Sequence, residues 1–138
     1  MAHSYLRIAQ QTLKQAESSL QDGVFSLAVR RSQETVEMAL KGTLRLIGIE
    51  VPKIHDVGVI LKEHRELFPG WFQMHVDRMA MISRTLRKDR EASLYGDEML
   101  DVPPDRIFGR LEADAALVDA RFVLEQCQKL AQEHRRGA

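Results

Sequence analysis

The chain has 138 residues, 44% of them hydrophobic and 29% charged, a balance typical of a folded, water-soluble chain and of a length that suits one domain, here residues 1–138. Twenty basic and twenty acidic side chains cancel, so no global charge draws the chain to nucleic acid or to a membrane, and any such attraction must be local.

Leu6, Ala9, Leu13, Ala16 and Leu20 recur at steps of three and four, which predicts a first helix with one apolar stripe. Gln21-Asp22-Gly23 breaks it, Gly23 being able to turn left-handed and Asp22 to cap the next helix. That second helix is expected from about residue 22 to 47, with Phe25, Ala28, Val29, Ser32, Val36, Ala39, Leu40, Thr43 and Ile47 on its stripe. Gly48 and Val51-Pro52 end it. Asp56 is expected to cap a short third helix burying Val57, Ile60, Leu61, His64 and Leu67, stopped by Pro69-Gly70. Trp71, His75, Met79, Ile82 and Leu86 define the stripe of a fourth helix. The acidic, turn-rich stretch from Tyr95 to Asp105 reads as an ordered loop. Ile107, Leu111, Ala115, Val118, Phe122 and Leu130 then mark a last helix. No segment alternates in the manner of a strand, so the prediction is an all-α, single-domain antiparallel bundle of about five helices.

The one cysteine, Cys127, excludes an internal disulfide, and with five scattered histidines it makes no zinc-type ligand set. A cytoplasmic location is expected, because the N-terminus lacks a secretory pattern and no run approaches the ~18 apolar residues of a membrane helix. Gly42, Gly48, Gly58, Gly70, Gly96 and Gly109 occur singly, never as a phosphate loop, and no cofactor is expected. His55 precedes the capping Asp56, and His64 and His75 lie on apolar stripes, so none is read as catalytic. Cys127 reads as a small buried residue.

The chemistry-bearing candidate is the run Arg84-Thr85-Leu86-Arg87-Lys88-Asp89-Arg90, four cations in seven residues. Arg84, Arg87 and Lys88 fall at i, i+3 and i+4, a spacing that would gather arginine forks for a phosphate. The competing reading is favourable charge at a helix C-terminus, offset by Asp89, Glu91 and Asp97.

Ala16-Glu17-Ser18-Ser19-Leu20-Gln21-Asp22-Gly23, the second helix from Phe25 to Lys41, Pro52-Lys53-Ile54-His55-Asp56 and Arg90-Glu91-Ala92-Ser93-Leu94-Tyr95-Gly96-Asp97 occur in an order and spacing that resembles a HEPN domain over nearly the whole chain. That resemblance implies a helical bundle that commonly dimerises and, in prokaryotes, often accompanies a small nucleotidyltransferase in toxin-antitoxin-like systems. Many members are ribonucleases with an arginine four to six residues before a histidine. Here no histidine has an arginine at that distance, and the nearest equivalent is Arg90 followed by Tyr95, a poor general base at neutral pH.

The expectation is therefore a binding or partner subunit without catalysis of its own. Arg84, Arg87, Arg90 and Tyr95 would meet a phosphate, nucleotide or RNA ligand, and the partners would be a second copy and a nucleotidyltransferase. The alternatives are a metal-independent ribonuclease of the HEPN type and a purely structural helical module in which Arg84, Arg87 and Arg90 pair with Asp97, Glu98 and Asp101. Phe25 and Leu27 on helix two, with Trp71, Phe72, Met74, Met79 and Met81 on helix four, exceed the number of positions one stripe can bury. A homodimer with helix four near the seam is the expected way to cover them.

Overall fold

Both N-terminal helices stop where a glycine lets the backbone turn left-handed. The structure, a computed structural model, describes residues 1–53, 56–95, 101–103 and 106–137, with the backbone alone at 92–95. Helix α1 spans Ala2–Gln21 and α2 spans Phe25–Leu46. Gly23 has φ +75° and Gly48 φ +84°, and each closes the same motif. The amide of Val24 donates to the Ser19 carbonyl at 2.8 Å and that of Gly23 to Leu20 at 3.1 Å, while Ile49 and Gly48 do the same to Leu44 and Arg45. These bonds satisfy carbonyls that the helix end would otherwise leave orphaned. Because Asp22 is still in the right-handed helical region at the end of α1, it does not cap α2; Val24 takes that position with no side-chain bond.

Helix α2 is the centre. It packs most extensively on α1 and α5, and also on α4 and α3. Such a helix is buried nearly all round, and its buried residues are mostly small or β-branched: Ser26, Ala28, Val29, Ser32, Thr35, Val36, Ala39, Gly42 and Thr43, with Leu40 and Leu44 filling the wider gaps and Gln33 the one long polar side chain among them.

Helix α3, Val57–Glu63, begins at Asp56, whose carboxylate accepts from the Gly58 amide at 2.9 Å, as its sequence position predicts. A 3-10 turn at Arg65–Leu67 comes next. Its tighter spacing moves the buried position one residue on, so Phe68 enters the core and Leu67, expected inside, is exposed. His64, also expected inside, is half-buried, its Nδ1 hydrogen-bonded to the Ile60 carbonyl at 2.9 Å.

Helix α4 runs Gly70–Tyr95 and α5 runs Arg110–Gly137. The buried line of α4 is Phe72, Val76, Met79, Ile82 and Leu86, with Phe72 stacked on Phe68 at a centroid distance of 4.7 Å. Trp71 and His75 lie at the edge of that line. Of the stripe expected for the last helix, Leu130 is buried, but the rest is not. Leu111, Ala115 and Val118 are exposed and Phe122 is half-buried, while Ala113, Ala116, Leu117, Ala120, Val123, Leu124, Cys127, Leu130 and Ala131 are buried. Alanines carry little hydropathy signal, yet they let α5 approach α2 and α1 closely, and that contact outweighs the exposure of two larger side chains. Of the expected 95–105 loop, residues 96–100, 104 and 105 lie outside the described residues; Asp101 sits in a turn at φ +55°. No described helix is long and apolar enough to cross a membrane.

The face assignment can be checked by truncation. Leu124→Ala should lose about 2–5 kcal/mol in urea or thermal unfolding and Leu111→Ala under about 0.5 kcal/mol. Equal losses would restore the sequence-predicted face of α5.

Candidate functional site

The basic run occupies the C-terminal half of α4, and helical geometry fans its side chains rather than gathering them. Arg84 is exposed and lines a cleft of about 260 Å³ between α3 and α4, together with Asp56, Val59, Lys62, Asp77 and Met81. The cleft is narrow at its base because Gly58 lies against α4: a Cβ there would come within 3.1 Å of the Ala80 Cα. Asp77 is held by Arg65. Arg84 and Lys62 have no ion-pair partner among the described residues.

Arg87 points the other way, to α2. Its guanidinium meets the Glu37 carboxylate at 3.3 Å, and that carboxylate also accepts from Gln33 Nε2 at 3.0 Å and lies 3.9 Å from Lys41 Nζ. This network ties α4 to α2, and it leaves Arg87 neutralised. Arg90 is half-buried and engaged within the protein. Tyr95 ends α4, and its side chain lies outside the described residues, as do His55, Asp97 and Glu98. Burial, then the nearby Glu112 carboxylate, raises the Asp89 carboxyl above its usual range. Of the three expected ligand residues whose side chains are described, Arg84 is presented openly to solvent on a cleft, while Arg87 is committed to α2.

Beside this cleft lies the seam between α4 and α5, which touch only sparsely. Cation–aromatic contacts bridge it. Arg78 lies 3.8 Å over the Phe122 ring, with His75 edge-on to the same ring at 5.3 Å, and Lys129 lies 4.3 Å over Trp71. The Trp71 indole N–H donates to Glu133 at 2.8 Å. Asp119, half-buried here, has its carboxyl raised by desolvation although Arg78 pulls it down. The sequence signal for this seam was the excess of aromatic and methionine positions on helix four; its α5 half was mistaken for core.

Among the described residues no group of three His, Cys, Asp or Glu side chains could hold a metal. Cys127 is fully buried on the α5 face toward α2. Burial pushes its thiol up to about 12, against a smaller opposing pull from the Thr43 hydroxyl. It is no nucleophile.

An all-helical bundle with a central α2, a short capped α3 and a long basic α4 defines a class of domain, and comparison with known proteins places it. A model of the HEPN domain matches residues 2–130: the chain belongs to the HEPN family. Its fold is similar to the crystal structure of TT1696 from Thermus thermophilus, at 27% identity and a TM-score of 0.75, over 93% of this chain and 96% of that one. It is also similar to ST0689, an archaeal HEPN homologue, at 22% identity and a TM-score of 0.71, over 94% and 96% of the two chains. The comparison with curated proteins finds no match.

The buried thiol makes a pH prediction. Its folded pKa is raised above the unfolded one, so its contribution is complete below pH ~8.5. That contribution is lost as pH rises toward about 12, because the unfolded chain releases the proton first. Stability should therefore fall by up to about 1.4 kcal/mol per pH unit across that window, and Cys127→Ala should flatten the decline. In the native protein at pH 8 a thiol reagent should label Cys127 only after denaturant is added; rapid native labelling would overturn the burial argument.

Proposed function

We propose that this protein is a HEPN-type binding subunit without catalysis of its own, acting as a homodimer that takes a phosphate-bearing ligand, a nucleotide, at the basic end of α4. A small nucleotidyltransferase in a toxin-antitoxin-like setting is the partner. The observation that carries this reading is the outer face of α4 and α5. Met74 and Met81, 75% and 63% exposed, stand seven residues apart on α4, and Leu111 and Val118, 80% and 57% exposed, stand seven apart on α5. Two heptad-spaced apolar lines flank the Arg78–Phe122 contact. Apolar surface of this kind marks an interface, methionine adapts to what covers it, and a two-fold axis lets one patch serve both subunits.

Arg84 lies three residues beyond Met81. Covering the face with a second copy would bring the open guanidinium of each subunit to the boundary, where desolvation strengthens its hold on a phosphate. The missing arginine-to-histidine spacing supports a binding role over hydrolysis. Consistent with the apolar core of the bundle, Phe72 and Met79 are fully buried, which narrows the expected seam to the two remaining methionines and α5.

Sedimentation at micromolar concentration should give twice the 15.8 kDa monomer mass, and Met81→Glu with Val118→Glu should return it to monomer with its helical circular dichroism unchanged. A nucleotide should raise the melting temperature of Arg84→Glu less than it raises that of the wild type. A monomeric wild type with no nucleotide response and no co-purifying nucleotidyltransferase would reject the reading. RNA cleavage in chelator that is lost in Arg90→Ala would move the assignment to a ribonuclease.

A further inference from the structure

A larger concavity lies elsewhere, where α1 and α5 run antiparallel and the start of one meets the end of the other. It is a groove of about 700 Å³, and each helix supplies one wall at the same spacing. His3, Arg7 and Gln10 stand at i, i+4 and i+7 on α1; Gln128, Gln132 and Arg135 stand at i, i+4 and i+7 on α5. Side chains so spaced form one line along a helix. Leu6 and Ala131, both buried, make the floor. The groove is therefore polar in direction as well as composition. Its outer end carries His3, Arg7 and Arg135, its inner end the amides of Gln10 and Gln128.

No acidic residue lines it among the described residues. Glu133 accepts the Trp71 indole N–H at 2.8 Å and Glu17 is held by Arg121 at 3.4 Å, while the exposed Glu125 lines the next concavity, which shares Gln10 and Gln128 with the amide end of the groove. Neither Arg7 nor Arg135 has an ion pair or hydrogen bond among the described residues. Two arginines thus line one concavity with no carboxylate paired to either among the described residues, which leaves both available to an anion.

We infer that this groove is a binding site for an organic phosphomonoester, distinct from the Arg84 cleft and independent of the function proposed for it. The two guanidinium forks and the His3 ring hold the phosphate dianion at the outer end. Gln10, Gln128 and Gln132 each offer both a donor and an acceptor to hydroxyl or amide groups of the organic part. Leu6 and Ala131 cover its carbon face. The chemistry is shared by sugar phosphates and nucleoside monophosphates, and the depth of the amide-lined end decides between them. None of these roles could be found by scanning for local motifs, since the two walls lie more than a hundred residues apart in sequence.

Calorimetric titration of the full chain with ribose 5-phosphate, adenosine 5′-monophosphate and inorganic phosphate tests this. Both organic esters should bind one per groove, and Arg7→Ala and Arg135→Ala should each weaken them about tenfold or more, as expected for loss of a charged hydrogen bond. Gln128→Ala should weaken the organic esters and leave inorganic phosphate unchanged. Tighter binding of adenosine monophosphate assigns the amide end to a base, and tighter binding of ribose phosphate assigns it to a sugar. Arg84→Ala should leave the losses caused by Arg7→Ala and Arg135→Ala unchanged. Arg7 and Arg135 are exposed and Gln128 is half-buried, so the variants should melt as the wild type does. No heat with any of the three probes, or binding abolished by Arg84→Ala and untouched by Arg7→Ala and Arg135→Ala, would overturn the inference while leaving the α4 proposal to its own test.

Discussion

The structure depends on α2 being slim enough to be surrounded. Four helices contact it, so almost every side it has must meet a neighbour at the close spacing of helix packing. Alanine, glycine, serine and threonine make this possible, but serine and threonine bring hydroxyls into a dry interface. Thr12 on α1 and Thr35 on α2 meet that cost, while the Ser26 and Ser32 hydroxyls bear it, having no hydrogen-bond partner among the described residues. The two threonine hydroxyls lie 2.8 Å apart, each also within 2.9–3.0 Å of a carbonyl of its own helix, Ala9 or Arg31. Two protons serve the set: one hydroxyl donates to its carbonyl and the other donates across the interface. The bond between helices is thus made from the same groups that would otherwise be buried without partners.

Crowding α2 has a consequence at the periphery. With α1 and α5 taking most of its surface, α4 is attached chiefly through α2 and α3 and meets α5 only lightly. The α4–α5 seam is then closed by long side chains laid over aromatic rings rather than by interlocked apolar residues. Arg78 over Phe122 and Lys129 over Trp71 cover ring faces while keeping their charges in water. A seam of that kind leaves apolar surface uncovered on both flanks, at Met74 and Met81 on α4 and at Leu111 and Val118 on α5.

Charge is distributed by the same geometry. Glu37 of α2 draws Arg87 inward as part of the joint between α2 and α4, and Arg84, on the α3 side of the same helix, stays open. Membership of the HEPN family accounts for the bundle. Arg84 in the α3–α4 cleft and Arg7 and Arg135 in the α1–α5 groove are among the cations that the packing leaves without an ion pair among the described residues.

Local features were legible in the sequence because their physics is local. Gly23 and Gly48 end helices since a left-handed residue costs a glycine little, Asp56 caps α3 since its carboxylate reaches an amide two residues on, and the absence of alternating stretches excludes strands. The order of elements and the family resemblance rest on those same signals. Tertiary packing alone decided the rest. It chose the face of α5 that carries Ala113, Ala116, Leu117, Ala120 and Leu124 over the one that carries Leu111 and Val118, because close approach to α2 is a property of two helices together. It moved the buried position from Leu67 to Phe68 through a 3-10 turn, separated Arg87 from Arg84 by offering one of them a carboxylate on another helix, and set His3 and Arg7 opposite Arg135. Periodicity along one helix states which residues share a face; which partner that face meets depends on the whole bundle.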